Sequence, residues 1–179
     1  TNLDKAPGGV NFKIAEKIGL KNVRILEAKE NALVKLTTFV PTAQAEDVRK
    51  ALFDAGCGNI GNYDLCSYNM EGEGTFRARE GATPYCGAIG ALHTEREVRI
   101  ETIIPAYKKA ATVKALLAAH PYEEPVYDIY PLQNSWPQAG AGVIGELEVP
   151  ETELEFLKRI KKTFEVGCLR HNKLLGREI

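Results

Sequence analysis

The chain has 179 residues with 24 acidic and 23 basic side chains, a mass of 19.7 kDa and a pI near 6.3. That length suits one domain, or one domain with pieces of another, and it buries roughly 70% of the surface an unfolded chain exposes. The balanced charge supplies no field for phosphates and no apolar run approaches the ~20 residues of a membrane span, so nucleic acid and membranes are excluded as main partners.

The chain opens Thr1-Asn2-Leu3-Asp4 without an initiator Met, as a trimmed or renumbered piece would. Asp4 stands just before Pro7-Gly8-Gly9. A carboxylate on a loop leading into a helix is placed to bind a divalent metal, although a cap or a solvated charge is its plainer use. The two glycines either cradle a phosphate on free N–H groups or simply turn the chain. Residues 9–19 read as a helix with Val10, Ile14 and Ile18 on one face, and residues 22–27 read as a strand.

The middle of the chain is a repeat. Laying Val34 over Val98 aligns Thr38 with Thr102, Pro41 with Pro105, Lys50-Ala-Leu52 with Lys114-Ala-Leu116, Ala55 with Ala119, and Tyr63-Asp64 with Tyr127-Asp128, without a gap. The period is too long for a solenoid, so one supersecondary unit is used twice. Each copy reads as strand, helix, strand. The first strands alternate (Val34, Leu36, Thr38, Val40; Val98, Ile100, Thr102, Ile104). The Pro that follows suits the first helical position, and helices are expected over 42–55 and 106–119. The second strands are expected to hold Tyr63 and Leu65, and Tyr127 and Ile129. Between the copies, Gly72 and Gly74 suggest a hairpin turn. Two tandem βαβ units with helices on one face of an antiparallel sheet make a ferredoxin-like α+β sandwich.

The string His120-Pro-Tyr-Glu-Glu-Pro125 reads in two ways. One His and two carboxylates could form a metal or ligand site, or the prolines shape a turn in which Tyr122 packs and Glu123 and Glu124 face water. Further on, Thr152 and Glu155 have the spacing of a capping box. They open a helix carrying Leu154, Leu157, Ile160 and Phe164, and residues 166–170 read as a strand. Each flank is then one helix and one strand, too small for a core of its own. The flanks either decorate the sandwich or are the two halves of an interrupted α/β lobe. The expected layout is residues 1–30 and 136–179 as parts of that lobe, with the sandwich over 31–135 inserted between them.

Cys57, Cys66, Cys86 and Cys168 contain no C-x-x-C pair, which fits reduced, mostly buried thiols in a cytoplasmic protein. His93 and His171 have no partners at ligand spacing and read as surface or packing residues. The Gly87–Gly90 run lacks the context of a dinucleotide fingerprint. On spacing alone the chain holds no complete catalytic set.

Taken together, Thr1–Asp4 with Ala6–Asn11, Gly74–Arg77, Ile89-Gly90 and the string from His120 to Asp128 resemble the GTP cyclohydrolase 1 type 2 homologue family, the Nif-three-like dinuclear-metal proteins. The later motifs resemble the insertion of its longer bacterial members, itself similar to the PII and CutA trimeric proteins. The resemblance implies two α/β lobes holding two divalent metals, zinc or iron, with Asp4 on the family's metal-ligating Asp. It also implies homo-oligomers, trimers or hexamers. The family's His residues and its His-x-x-x-Glu fall outside this chain, since the residue four positions after His171 is Leu175. The function implied is the central part of a metal-dependent hydrolase, inactive as this chain alone. The alternative is a non-catalytic module that oligomerises or senses a small ligand.

Overall fold

The computed structural model describes residues 8–179. These residues form six strands and four α-helices in two antiparallel sheets, an α+β protein. The chain divides into two compact units: the residues up to Lys29 together with Trp136–Ile179 (unit 1), and Glu30–Ser135 (unit 2). No helix among the described residues is long and apolar enough to cross a membrane.

Unit 2 carries β2 (Leu33–Pro41), α2 (Ala45–Asp54), β3 (Tyr68–Arg77), β4 (Leu92–Pro105), α3 (Lys109–Ala119) and β5 (Tyr127–Leu132) in the sheet order β3-β4-β2-β5. The first strands of the two repeats lie side by side. Thr37 pairs with Glu101, its own counterpart in the repeat, while Leu36 pairs with Thr102 and Thr38 with Ile100. The internal twofold axis therefore runs through the Thr37–Glu101 pair. Because strand side chains alternate between faces, Val34, Leu36, Val40, Val98, Ile100 and Ile104 share one face. They form a single core with Val48 and Leu52 of α2 and Leu116 of α3. The other face bears His93, Glu95, Glu97, Arg99 and Glu101.

Several expectations are corrected here. Pro41 and Pro105 are not helical; they end their strands in extended backbone, and a short 3-10 turn follows each before the α-helix begins. Tyr63 and Leu65 are not in a strand. Residues 57–66 curl through Gly58 and Gly61 at positive φ and are tied down by Gly58 N–H to the Ile103 carbonyl and Cys66 N–H to the Gly58 carbonyl. The second strand of the first copy starts only at Tyr68, whereas Tyr127 and Ile129 do lie in β5. Gly72 and Gly74 make no turn. They lie inside β3, and a Cβ on Gly74 would run into the Glu97 carboxylate. Of the four free cysteines only Cys57 is buried; it packs in the core, where burial pushes its thiol up to about 11.

Unit 1 pairs β1 (Leu20–Lys29) with β6 (Trp136–Leu147), antiparallel from Leu20↔Leu147 to Lys29↔Trp136. Strand β6 was not anticipated, and no strand forms over 166–170. Helix α1 (Val10–Lys17) and helix α4 (Glu153–Thr163) complete the unit. Arg159 joins them, donating to the Ile18 carbonyl at 2.6 Å and to Glu151. The capping box is present: the Thr152 hydroxyl accepts the Glu155 N–H, and the Glu155 carboxylate accepts the Thr152 N–H at 3.1 Å. Thr152→Ala removes one half of that exchange and is expected to cost about 1 kcal/mol, read as faster amide hydrogen exchange in the first turn of α4. Few side chains of unit 1 are buried. Ala15 and Ile25 are, whereas Val10, Ile14, Leu26, Ile144 and Leu154 are each more than a third exposed.

Candidate functional site in unit 2

The open face of the unit 2 sheet and the loop above it form the candidate site. Strand β4 extends back to Leu92, so His93 and Glu95 stand on the same face, two residues apart. The chain between β3 and β4 folds back, closed by the Gly90 N–H to the Ala78 carbonyl at 2.8 Å. This return brings Cys86 over the strand. Gly87 has φ +79°, and a Cβ there would come within 2.9 Å of the His93 Cβ, so glycine permits the close approach.

Cys86, His93 and Glu95 thereby gather with their donor atoms within 4.8 Å of one another, each half-buried. His93 Nε2 lies 2.9 Å from a Glu95 carboxylate oxygen. That hydrogen bond holds the Glu95 carboxyl below its usual range, and Cys86 adds to the effect. Burial raises the Cys86 thiol, the Glu95 carboxylate raises it further, and Tyr122 opposes both.

Beside this group lies a cleft of about 690 Å³, walled by Phe76, Tyr85 and Tyr122 and floored by Glu97 and Arg99. Phe76 stands at 5.2 Å from the His93 ring and 5.9 Å from Tyr122, centroid to centroid. The Tyr122 hydroxyl donates to buried Glu97 at 2.8 Å, and burial followed by this carboxylate raises the Tyr122 pKa. A cleft of this size, with Phe39, Phe76, Tyr85 and Tyr122 among charged side chains of both signs, suits a small amphipathic ligand.

The His120 string has mainly an architectural role. His120 is buried, with Nε2 on the Phe39 carbonyl at 2.9 Å and Nδ1 accepting the Tyr122 N–H at 3.1 Å. The Glu123 carboxylate accepts the Thr83 N–H at 2.9 Å and so anchors the loop that carries Cys86. Glu123 and Glu124 also border the cleft.

Asp4, the metal ligand expected from the sequence, lies outside the described residues. His171 is exposed and bonds only locally, to the Asn172 carbonyl. Reading His93 as a residue without partners is corrected: it belongs to the one group of three or more metal-capable side chains found among the described residues. The signal was His93-x-Glu95 on a strand, which spacing alone could not join to a cysteine seven positions earlier.

Fold and site thus define a small α+β protein with a thiol–imidazole–carboxylate group beside a ligand-sized cleft. It is similar to a Bacillus cereus protein related to NIF3, with 43% identity and a TM-score of 0.82 over 99% of this chain and 47% of that one. Proteins named GTP cyclohydrolase 1 type 2 homolog are also similar. The one from Halalkalibacterium halodurans is 45% identical over 95% of this chain and 46% of its own length, and the one from Bacillus subtilis is 40% identical over the same shares. The chain belongs to the Duf34/NIF3 (NGG1p interacting factor 3) family, which it matches over residues 1–179. It spans about half the length of the relatives it matches.

Proposed function

We propose that this chain is the central part of a dinuclear metal-dependent hydrolase. In this reading unit 1 belongs to the metal-bearing α/β lobe, with Asp4 as a ligand, and unit 2 is a ferredoxin-like, PII/CutA-like sandwich inserted into it. The observation that carries the reading is the uncovered apolar surface of unit 1, which buries little beyond Ala15 and Ile25. A unit so poorly filled fits a lobe whose remaining elements lie outside the chain. The described residues of unit 1 include no group of three metal-capable side chains, and in this reading the dinuclear site draws its ligands from Asp4 and from outside the described residues. Divalent metals would supply an activated water by lowering its pKa. The name of the relatives points to ring opening of a guanine nucleotide; phosphoester cleavage is chemistry of the same kind.

In the longer protein, Asp4→Ala is expected to lower metal content per chain, measured by elemental mass spectrometry, with the unfolding of unit 2 unchanged. Unchanged metal content removes Asp4 from the site. The second reading, a non-catalytic module that senses a small ligand or assembles copies of the chain, is favoured by the cleft of unit 2.

A further inference from the structure

We propose that Cys86, His93 and Glu95 form a site for one divalent transition-metal ion, zinc by the chemistry of its donors, on the open face of the unit 2 sheet. The proposal uses none of the residues assigned to the dinuclear site and does not rest on that reading.

The donor set selects the metal. A thiolate, an imidazole and a carboxylate are three of the groups zinc takes, and hard cations such as magnesium and calcium prefer oxygen alone. The two anionic donors match the charge of a dication. Tetrahedral zinc with bonds of about 2.0–2.3 Å sets its ligand atoms roughly 3.3–3.8 Å apart. The three donors lie within 4.8 Å of one another, so side-chain rotation closes the remainder.

The site is also built rather than incidental. His93 and Glu95 project from one strand in fixed alternation. The Phe76 ring packs beside the imidazole, and Phe76 is the residue paired with His93 across the β3–β4 ladder. Gly87 admits the backbone that carries Cys86 to within contact of His93, and the Gly90–Ala78 and Thr83–Glu123 hydrogen bonds hold that loop at both ends. A hydrogen-bonded His–Glu pair on a sheet surface needs none of this apparatus.

Three protein ligands that remain half-buried leave a coordination position for water or an incoming donor, as catalytic and ligand-binding zinc sites do and closed structural sites do not. Phe76 is shared between this group and the cleft wall. The three ligands themselves do not line the cleft, so the Phe76 ring is the element common to the two.

The test uses the 179-residue chain, freed of metal by a chelator and titrated with cobalt(II). One equivalent is expected to bind, giving the near-ultraviolet thiolate-to-cobalt absorption and visible bands of tetrahedral intensity, both displaced by one equivalent of zinc. Cys86→Ser abolishes the thiolate band. His93→Ala and Glu95→Gln each weaken binding by at least about tenfold, the effect of losing even a partner one shell further out. Asp4→Ala leaves the titration unchanged, which keeps this proposal apart from the dinuclear site. Thermal unfolding of each variant verifies that it is folded, since all three side chains are partly exposed. Absence of saturable binding, or a thiolate band that survives Cys86→Ser and so arises from Cys57, Cys66 or Cys168, overturns the proposal.

Discussion

Leu36→Ala is expected to destabilise unit 2 by about 3–4 kcal/mol, seen as a lower urea midpoint at unchanged slope. Strand β2 is hydrogen-bonded on both sides, to β4 and to β5, and Leu36 is 0% exposed at the centre of the cluster formed with Leu52, Ile100, Ile104 and Leu116. Truncation leaves a cavity that two strands and two helices cannot collapse into without shifting the ladder. Against a typical stability of about 5–15 kcal/mol the loss is a large share. Leu92→Ala is the control: Leu92 is 75% exposed on β4, and its removal is expected to change stability by less than about 0.5 kcal/mol. Equal effects from the two substitutions would mean that the burial assigned to Leu36 is wrong.

His120→Ala is expected to cost about 2–3 kcal/mol, because it strips partners from two groups in a buried setting. Beyond the last β2–β5 pair, Thr38↔Tyr127, the Phe39 carbonyl is met by the imidazole rather than by a strand, and the Tyr122 amide is met by the other ring nitrogen. This arrangement fixes a neutral ring with its proton on Nε2. Burial holds the His120 pKa below 6.5, with the Phe39 carbonyl and Glu97 pulling the other way. The unfolded chain therefore binds this proton more readily than the folded one. The stability due to neutral His120 is complete above pH 6.5 and is lost as pH falls through the folded pKa. Carboxylates held low, such as Glu95 and Glu101, start from 4.5 and act only below that. Urea midpoints taken between pH 7 and pH 5 should thus fall in the natural protein and fall less in His120→Ala. Parallel slopes would place the acid sensitivity elsewhere.

The repeat made the core of unit 2 readable in advance because alternation along β2 and β4 reports burial directly, and the same pattern occurs twice. It misled at Tyr63-Asp64. Identity with Tyr127-Asp128 suggested a strand, but Gly58 and Gly61 had already curled the chain, and Leu65 itself adopts a positive φ of 52°. Strand β6 was hidden by its own glycines. Gly140 and Gly145 sit where a Cβ would strike the backbone of β1, so the spacing of apolar residues there carries no strand period. Gly74 shows the same effect in β3: glycine marked a close neighbour, the Glu97 carboxylate, and not a turn. The candidate site was the least legible part. Its three residues come together only once β4 reaches back to Leu92 and the following of Cys86 by Gly87 lets the loop return, both properties of the folded backbone. The capping box at Thr152, a purely local exchange, could be read from four letters.

The strand pair at the base of unit 1 bears on how the chain folds. Lys29 and Trp136 are partners in the β1–β6 ladder, so everything from Glu30 to Ser135 occupies the place of a hairpin turn. In the unfolded chain, closing so long a loop carries an entropy cost that grows with the logarithm of its length, about 0.6 kcal/mol for each doubling. Once unit 2 has formed, its two ends emerge from a fixed body and the search shrinks to a few flanking residues. The β1–β6 pairing is then cheapest after unit 2 is complete, which makes unit 2 the scaffold on which these two strands find each other.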